Sequence, residues 1–189
     1  MKTFKDYITE ALDPDDYLER QSTPAELFIG RMQPFHIGHS DIINKMKNPV
    51  VALVKGAATS KNKEMNPLNA KYQTRLINKA NPKAEVIIVP NGYIPDIVTQ
   101  MRKDGNEVSK IYAGEDRIST YRQQIASYNK QMPADKQIKV KFVKTTRTQS
   151  ATDVRAAIRD DDEELFRTMM PKSLHSEYKT LRKQIHDKF

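Results

Sequence analysis

The chain contains no cysteine and no tryptophan, and only six glycines in 189 residues. Without cysteine there can be neither a disulfide nor a thiolate metal site, a composition that fits a reducing compartment. No apolar run approaches the roughly 20 residues that span a bilayer, so no membrane partner is expected. Residues 1–12 lack the long apolar core and small-residue cleavage site of a secretory signal, and the expected setting is cytoplasmic. Charge is not scarce. The 32 Lys and Arg against 24 Asp and Glu leave a formal net charge of +8, compatible with nucleic acid, anionic small ligands or a solvated basic surface. The basic residues are scattered rather than blocked, and no stretch interleaves them with aromatics. That pattern argues against a sequence-independent nucleic-acid binder.

What is present is rhythm. Phe4, Tyr7, Ile8, Ala11 and Leu12 fall at helical spacing, and the run DPDD stops that helix at Pro14. A polar linker follows to about Pro24. From Ala25 the pattern alternates. Short apolar runs predict strands over 25–29, 49–54, 85–89, 110–113 and 138–144. Amphipathic segments predict helices over 39–47, 69–80, 94–102, 117–129, 152–159, 163–169 and 174–188. Leu174, Tyr178, Leu181 and Ile185 form one stripe of the last helix, which reads as a cover for the domain or as an oligomer contact. Strand–helix alternation implies βαβ crossovers. The expected fold is α/β: a Rossmann-like five-stranded parallel sheet with helices on both faces, plus C-terminal helices. Its divisions are an arm and linker over 1–24, a domain over 25–159, and a helical segment over 160–189 packed on that domain.

Ligands of such sheets bind beyond the carboxyl ends of the strands. That rule selects residues 30–39, 55–66, 90–94, 114–117 and 145–152. In the first, Gly30 permits a turn that a side chain would block, and Pro34 stiffens the loop. His36 and His39 are three apart at a helix start, so they share a side, and Gly38 leaves backbone N–H groups open between them. A helix N-terminus with two imidazoles and Arg31 suits a polyphosphate. The alternatives are a metal site, which lacks a third ligand nearby in sequence, or two surface histidines. In the last segment, Ser150 and Asp153 resemble a capping box, with Thr152 and Arg155 in the first turn of the helix. Two helix N-termini meeting at one rim suggest a triphosphate held from both sides.

Here a family resemblance enters. GRMQPFHIGH, residues 30–39, resembles the G-R-F-x-P-x-H-x-G-H signature of the nucleotidylyltransferase superfamily, with Met32 where the signature has Phe. SATDVR, residues 150–155, resembles its S-x-T-x-[IV]-R signature. The loop GAATSKNKEMNPLNAKYQTRLI resembles the family's segment after the second strand, with Asn66, Pro67 and Arg75 at its marked positions. The layout is most similar to archaeal-type nicotinamide mononucleotide (NMN) adenylyltransferases. It also resembles the nucleotidyltransferase-like proteins of large tailed phages, whose glycine-aspartate-arginine segment AGEDR, residues 113–117, resembles. MKTFKDYITEA resembles capsid-targeting propeptides cut after Ile/Leu-x-Glu, here after Glu10.

The resemblance implies transfer of a nucleotidyl group from a triphosphate, ATP foremost, to a phosphate-bearing acceptor, NMN foremost, giving NAD and pyrophosphate. Cytidylyl or other nucleotidyl transfer is the alternative, as is a phage head-packaged protein of this fold with little activity. It implies that His36, His39 and Arg155 are catalytic. Gly30, Arg31, Gly38, Gly114, Asp116, Ser150 and Thr152 would bind nucleotide, with Asp116 at the ribose or a metal-bound water. Lys61, Lys63, Asn66 and Arg75 would form an acceptor or phosphate loop. Mg²⁺ would arrive with the nucleotide, without a dedicated metal site. Tyr93, Tyr112 or Phe35 would stack on the nicotinamide in place of the absent Trp. Packaging in a virion head and a homo-oligomer are further expectations.

Overall fold

The computed structural model describes residues 22–57, 61–146 and 148–186. The expected N-terminal helix and the cleavage after Glu10 fall outside them. The elements follow in the order β1 (Thr23–Gly30), α1 (Ile37–Asn44), β2 (Pro49–Val54), α2 (Ala70–Ala80), β3 (Glu85–Val89), α3 (Ile94–Lys103), β4 (Asn106–Gly114), α4 (Glu115–Asn129), β5 (Lys141–Thr145), α5 (Ala151–Arg159), α6 (Glu163–Met169), a 3-10 turn (Lys172–Glu177) and α7 (Tyr178–His186). The five strands form one sheet in the order β3-β2-β1-β4-β5, and each neighbouring pair is parallel. This is the expected α/β architecture. The order itself adds a topological switch: the chain winds outward in one direction from β1 to β3 and in the other through β4 and β5. The switch point lies between the ends of β1 and β4, where open sheets place a ligand crevice.

Alternation along the strands builds two cores. Phe28, Val51, Leu53 and Tyr112 point to one face, covered by α1, α2, α5, α6 and α7 through Ile43, Leu76, Ile77, Val154, Ile158, Phe166 and Leu181. Leu27, Val50, Ala52 and Ile111 point to the other, covered by α3 and α4 through Ile97, Val98, Met101, Tyr121 and Ile125. The C-terminal stripe Leu174, Tyr178, Leu181 and Ile185 is buried in the first core. The segment over 160–186 therefore shares a core with the sheet.

Several boundaries differ from those expected, each for a tertiary reason. β4 begins at Asn106, four residues before its apolar run, because Asn106 to Val108 pair with Thr23 to Ala25 of β1. β5 begins at Lys141: Ile138 instead joins the α4 end, where its N–H donates to Asn129 Oδ1 at 2.8 Å. Helix α4 starts at Glu115 directly after Gly114, with no intervening loop. The helix expected from residue 174 starts instead as a 3-10 turn, Lys172–Glu177, and becomes α-helical at Tyr178.

Two buried carboxylates tie distant elements together. Glu26 accepts from Lys110 Nζ at 2.7 Å, Tyr112 Oη at 3.0 Å and the Lys47 N–H at 3.1 Å. Glu177 accepts from Arg75 at 2.5 Å, Lys79 at 2.7 Å and Tyr72 Oη at 3.0 Å. Burial pushes each carboxyl up, but the donors outweigh it and hold both below the ordinary glutamate value. A carboxyl depressed in the folded state stabilises fully above its unfolded value, about 4.3. That contribution is lost as pH falls through the folded value. Acid titration should therefore lower the urea midpoint from about pH 4.3 downward, and Glu177→Gln should flatten that slope. A slope unchanged in the variant would show that Glu177 carries none of the acid sensitivity.

Candidate active site

A cavity of about 880 Å³ opens at the switch point, lined by the segments that follow β1, β4 and β5 together with the starts of α1, α4 and α5. Ten of the sequence-derived candidates line it: Gly30, Arg31, His36, Gly38, His39, Gly114, Asp116, Ser150, Thr152 and Arg155. They come from three stretches separated by as many as 125 residues of chain (155 − 30), and the rim of the sheet is what brings them together.

His36 is the N-cap of α1: its carbonyl accepts from the His39 N–H at 3.0 Å and the Ser40 N–H at 3.2 Å. Its own N–H donates to His39 Nδ1 at 3.3 Å. A ring whose Nδ1 accepts carries its proton on Nε2, so His39 is set as an Nε2–H donor. The two imidazoles stack at 3.8 Å between centroids, and Phe28 and Phe35 flank His39 at 5.9 and 5.6 Å. Gly38 makes this packing possible. A Cβ there would stand 3.2 Å from both His36 Cε1 and Thr148 Oγ1, tight enough to push them apart. Gly38 is thus where the first rim segment meets the last.

At α5, Ser150 is the N-cap and accepts from the Asp153 N–H at 3.2 Å, while its hydroxyl donates to Asp153 Oδ2 at 2.8 Å. The capping interaction is present, but the Ser150 proton is committed to Asp153. Arg155 is the fifth residue of the helix, one turn beyond Thr152 rather than in the first turn. It is buried, 3% exposed. Its Nη1 donates to the Gln33 carbonyl, and its Nη2 to Thr152 Oγ1 at 3.1 Å and Met65 Sδ at 3.5 Å. Among the described residues, then, a buried guanidinium is hydrogen-bonded to neutral groups alone. Burial, with Arg159 and Arg31 nearby, pulls it below its usual value, and Glu64 opposes only part of that. A buried cation at a cavity wall with no carboxylate on it is a site for an anion. Thr152 accepts from Arg155 and keeps its own proton to donate.

At the end of β4, Gly114 is the N-cap of α4, and a Cβ on it would fall 2.6 Å from Asp116 Oδ1. The Asp116 side chain folds back over the helix start into space that only glycine leaves. It is exposed and lies 3.5 Å from Arg117 Nε.

Glycine is not required at position 30 for the turn. A Cβ there would meet only Met32 atoms at 3.4 and 3.5 Å, ordinary contact, so a side chain would not block the turn. The left-handed residue of this loop is Met32, at φ 47°.

Four other candidates are not brought to the cavity: Lys61, Lys63, Asn66 and Arg75 are absent from its lining. Arg75 points instead to the C-terminal 3-10 turn, paired with Glu177 and stacked 4.8 Å over Tyr72. Asn66 is buried against its own loop, where its Nδ2 donates to the Asn62 carbonyl at 3.2 Å. That turn presents Met65, not a lysine, to the cavity. Two of the proposed aromatics are also unavailable. Phe35 is fully buried, and Tyr112 is buried with its hydroxyl on Glu26. Tyr93 remains exposed at the N-cap of α3. Two buried amides are not marked by the sequence: Gln33, within the loop, and Gln73, behind it on α2. A polar residue inside a motif's variable position carries no local signal of burial.

The model of the family described as Cytidylyltransferase-like matches residues 27–170. No curated protein sequence matches significantly. Thermotoga maritima TmcAL bound with alpha-thio ATP is similar with a TM-score of 0.54 at 11% identity, over 87% of this chain and 56% of that one. The chain thus spans little more than half of that protein. Plasmodium falciparum nicotinic acid mononucleotide adenylyltransferase complexed with APC is similar with a TM-score of 0.50 at 11% identity, over 84% of this chain and 96% of that one. At such identity the likeness is one of fold.

Proposed function

Because the chain belongs to the cytidylyltransferase-like family, we propose that it transfers a nucleotidyl group, and most concretely that it joins the adenylyl group of ATP to NMN. The observation that carries this reading is Arg155, a buried guanidinium at the cavity wall with no carboxylate bonded to it among the described residues, facing a rim that also holds His36 and His39. The two similar structures are described with ATP-like ligands or as an adenylyltransferase, which favours ATP as donor and a pyridine mononucleotide as acceptor.

In the reaction, an acceptor phosphate oxygen attacks the α-phosphorus in line, and the bond to the bridging oxygen of pyrophosphate breaks. No side-chain nucleophile is required, so the residues position the partners and stabilise charge. His39 Nε2–H and the start of α1 would meet the α-phosphoryl oxygens. Arg155, the Thr152 hydroxyl and the start of α5 would hold the β- and γ-phosphates. Arg31, exposed at the same rim, would attract either polyanion. Asp116 is a hard oxygen donor in the cavity and fits Mg²⁺ bound mainly by phosphates. The metal, when bound, would neutralise phosphate charge. Kinship with phage proteins, which rests on the layout and on residues 113–117, and packaging in a head, which rests on residues 1–11, belong to the same proposal.

The test is incubation with Mg²⁺, NMN and each nucleoside triphosphate in turn, with chromatography for NAD and an assay for pyrophosphate. NAD formed from ATP is the expected result. Product from CTP with another phosphate-bearing acceptor would move the reading to cytidylyl transfer. Absence of pyrophosphate release with any pairing would overturn it.

A further inference from the structure

We propose that Gln73 is a positioning residue that holds the 31–33 turn open as a phosphate-binding nest; the inference rests on the nucleotidyl-transfer reading of the cavity. Gln73 stands on α2, outside the cavity lining, and is 0% exposed. Its Nε2 donates to two successive carbonyls, Arg31 at 2.5 Å and Met32 at 3.0 Å. Its Oε1 accepts from Gln33 Nε2 at 2.7 Å. The Gln33 amide is held in turn by Leu68, donating to its carbonyl at 2.9 Å and accepting from its N–H at 2.9 Å. The direction of each bond in this buried chain is set by the next, running from the Leu68 backbone to the carbonyls of the turn.

In a trans peptide the N–H points opposite to the carbonyl, and the cis bond of this loop, Gln33–Pro34, comes after both peptides in question. Drawing the Arg31 and Met32 carbonyls onto one nitrogen therefore turns the Met32 and Gln33 N–H groups away from Gln73. The left-handed φ of Met32 supplies the αL member of the αR–αL turn in which successive N–H groups form an anion-binding concavity. The Met32 side chain, 2% exposed in the first core, holds that conformation in place. Neither N–H donates to a partner among the described residues, and Arg31, Met32 and Gln33 all line the cavity. Arg155 donates to the next carbonyl, that of Gln33, so three consecutive carbonyls are tied back by two side chains. The nest fits phosphate oxygens, from either the donor triphosphate or the acceptor monophosphate.

Gln73→Met keeps the side chain's length and removes its donors. In calorimetric titrations with ATP, inorganic pyrophosphate, NMN and adenosine, the variant should lose about tenfold or more in affinity for phosphate-bearing ligands and nothing for adenosine. Loss for ATP and pyrophosphate assigns the nest to the donor; loss for NMN alone assigns it to the acceptor. Equal loss for adenosine, or no loss in a folded variant, overturns the inference while leaving the transfer reading intact. A wild-type protein that binds none of the phosphate ligands overturns both. Should Gln73→Met not fold, the wild-type protein decides. The Met32 and Gln33 amide resonances should shift on adding a phosphate ligand, and their failure to move at saturation overturns the inference.

Discussion

Alanine at His39 is expected to lower turnover by about a hundred- to a thousandfold, the usual cost of removing one donor aimed at developing negative charge. The geometry ties this to a single proton. His39 Nδ1 accepts from the His36 N–H, so the proton at stake is on Nε2, and the stacked His36 ring and flanking phenylalanines prevent the imidazole from turning. In the proposed reaction the loss should appear in kcat more than in KM, because the interaction would strengthen as charge moves onto the α-phosphoryl oxygens. His39→Gln places an amide N–H on a side chain of similar reach and should recover part of the rate. Circular dichroism would verify that both variants fold. Undiminished turnover in folded His39→Ala would remove His39 from the mechanism.

Lysine at Arg155 carries the second large effect. The substitution keeps the charge and loses the fork. The guanidinium holds the Gln33 carbonyl with one nitrogen and Thr152 with the other, and its planar shape leaves N–H groups to pair with a phosphate. A lysine ammonium cannot reproduce that set from inside a wall 3% exposed. Loss of two charge-assisted bonds at about 1.5 kcal/mol each amounts to about a hundredfold in kcat/KM for the triphosphate. Steady-state kinetics with the triphosphate varied would measure it. The change should fall on the triphosphate and leave the acceptor's KM unaltered. If the acceptor's KM rises instead, Arg155 belongs to the other substrate.

The two signatures were legible in the sequence because their chemistry is local. His36 and His39 share a side through helical spacing, and Ser150 marks a helix start whichever fold surrounds it. The same holds for the strand over 49–54 and the helix over 163–169, whose observed bounds match those expected. The loop after β2 is less legible. Its lysines and Asn66 look apt for phosphates in sequence, but Asn62 folds the turn so that Met65 faces Arg155. Arg75 is drawn away from the rim for a similar reason: the buried carboxylate that holds it, Glu177, lies 102 residues further on.

By itself, the sequence determined the alternation of strands and helices, hence a parallel sheet, and the chemical character of the ten rim residues. Both follow from periodicity and side-chain type within a few residues of chain. Tertiary structure alone decided the strand order and with it the switch point between β1 and β4. It also decided the contact of Gly38 with Thr148 and the hold of Gln73 on the carbonyls of the loop. Those depend on which surfaces pack together across the core, and a buried amide acquires its role only from the partners that packing supplies.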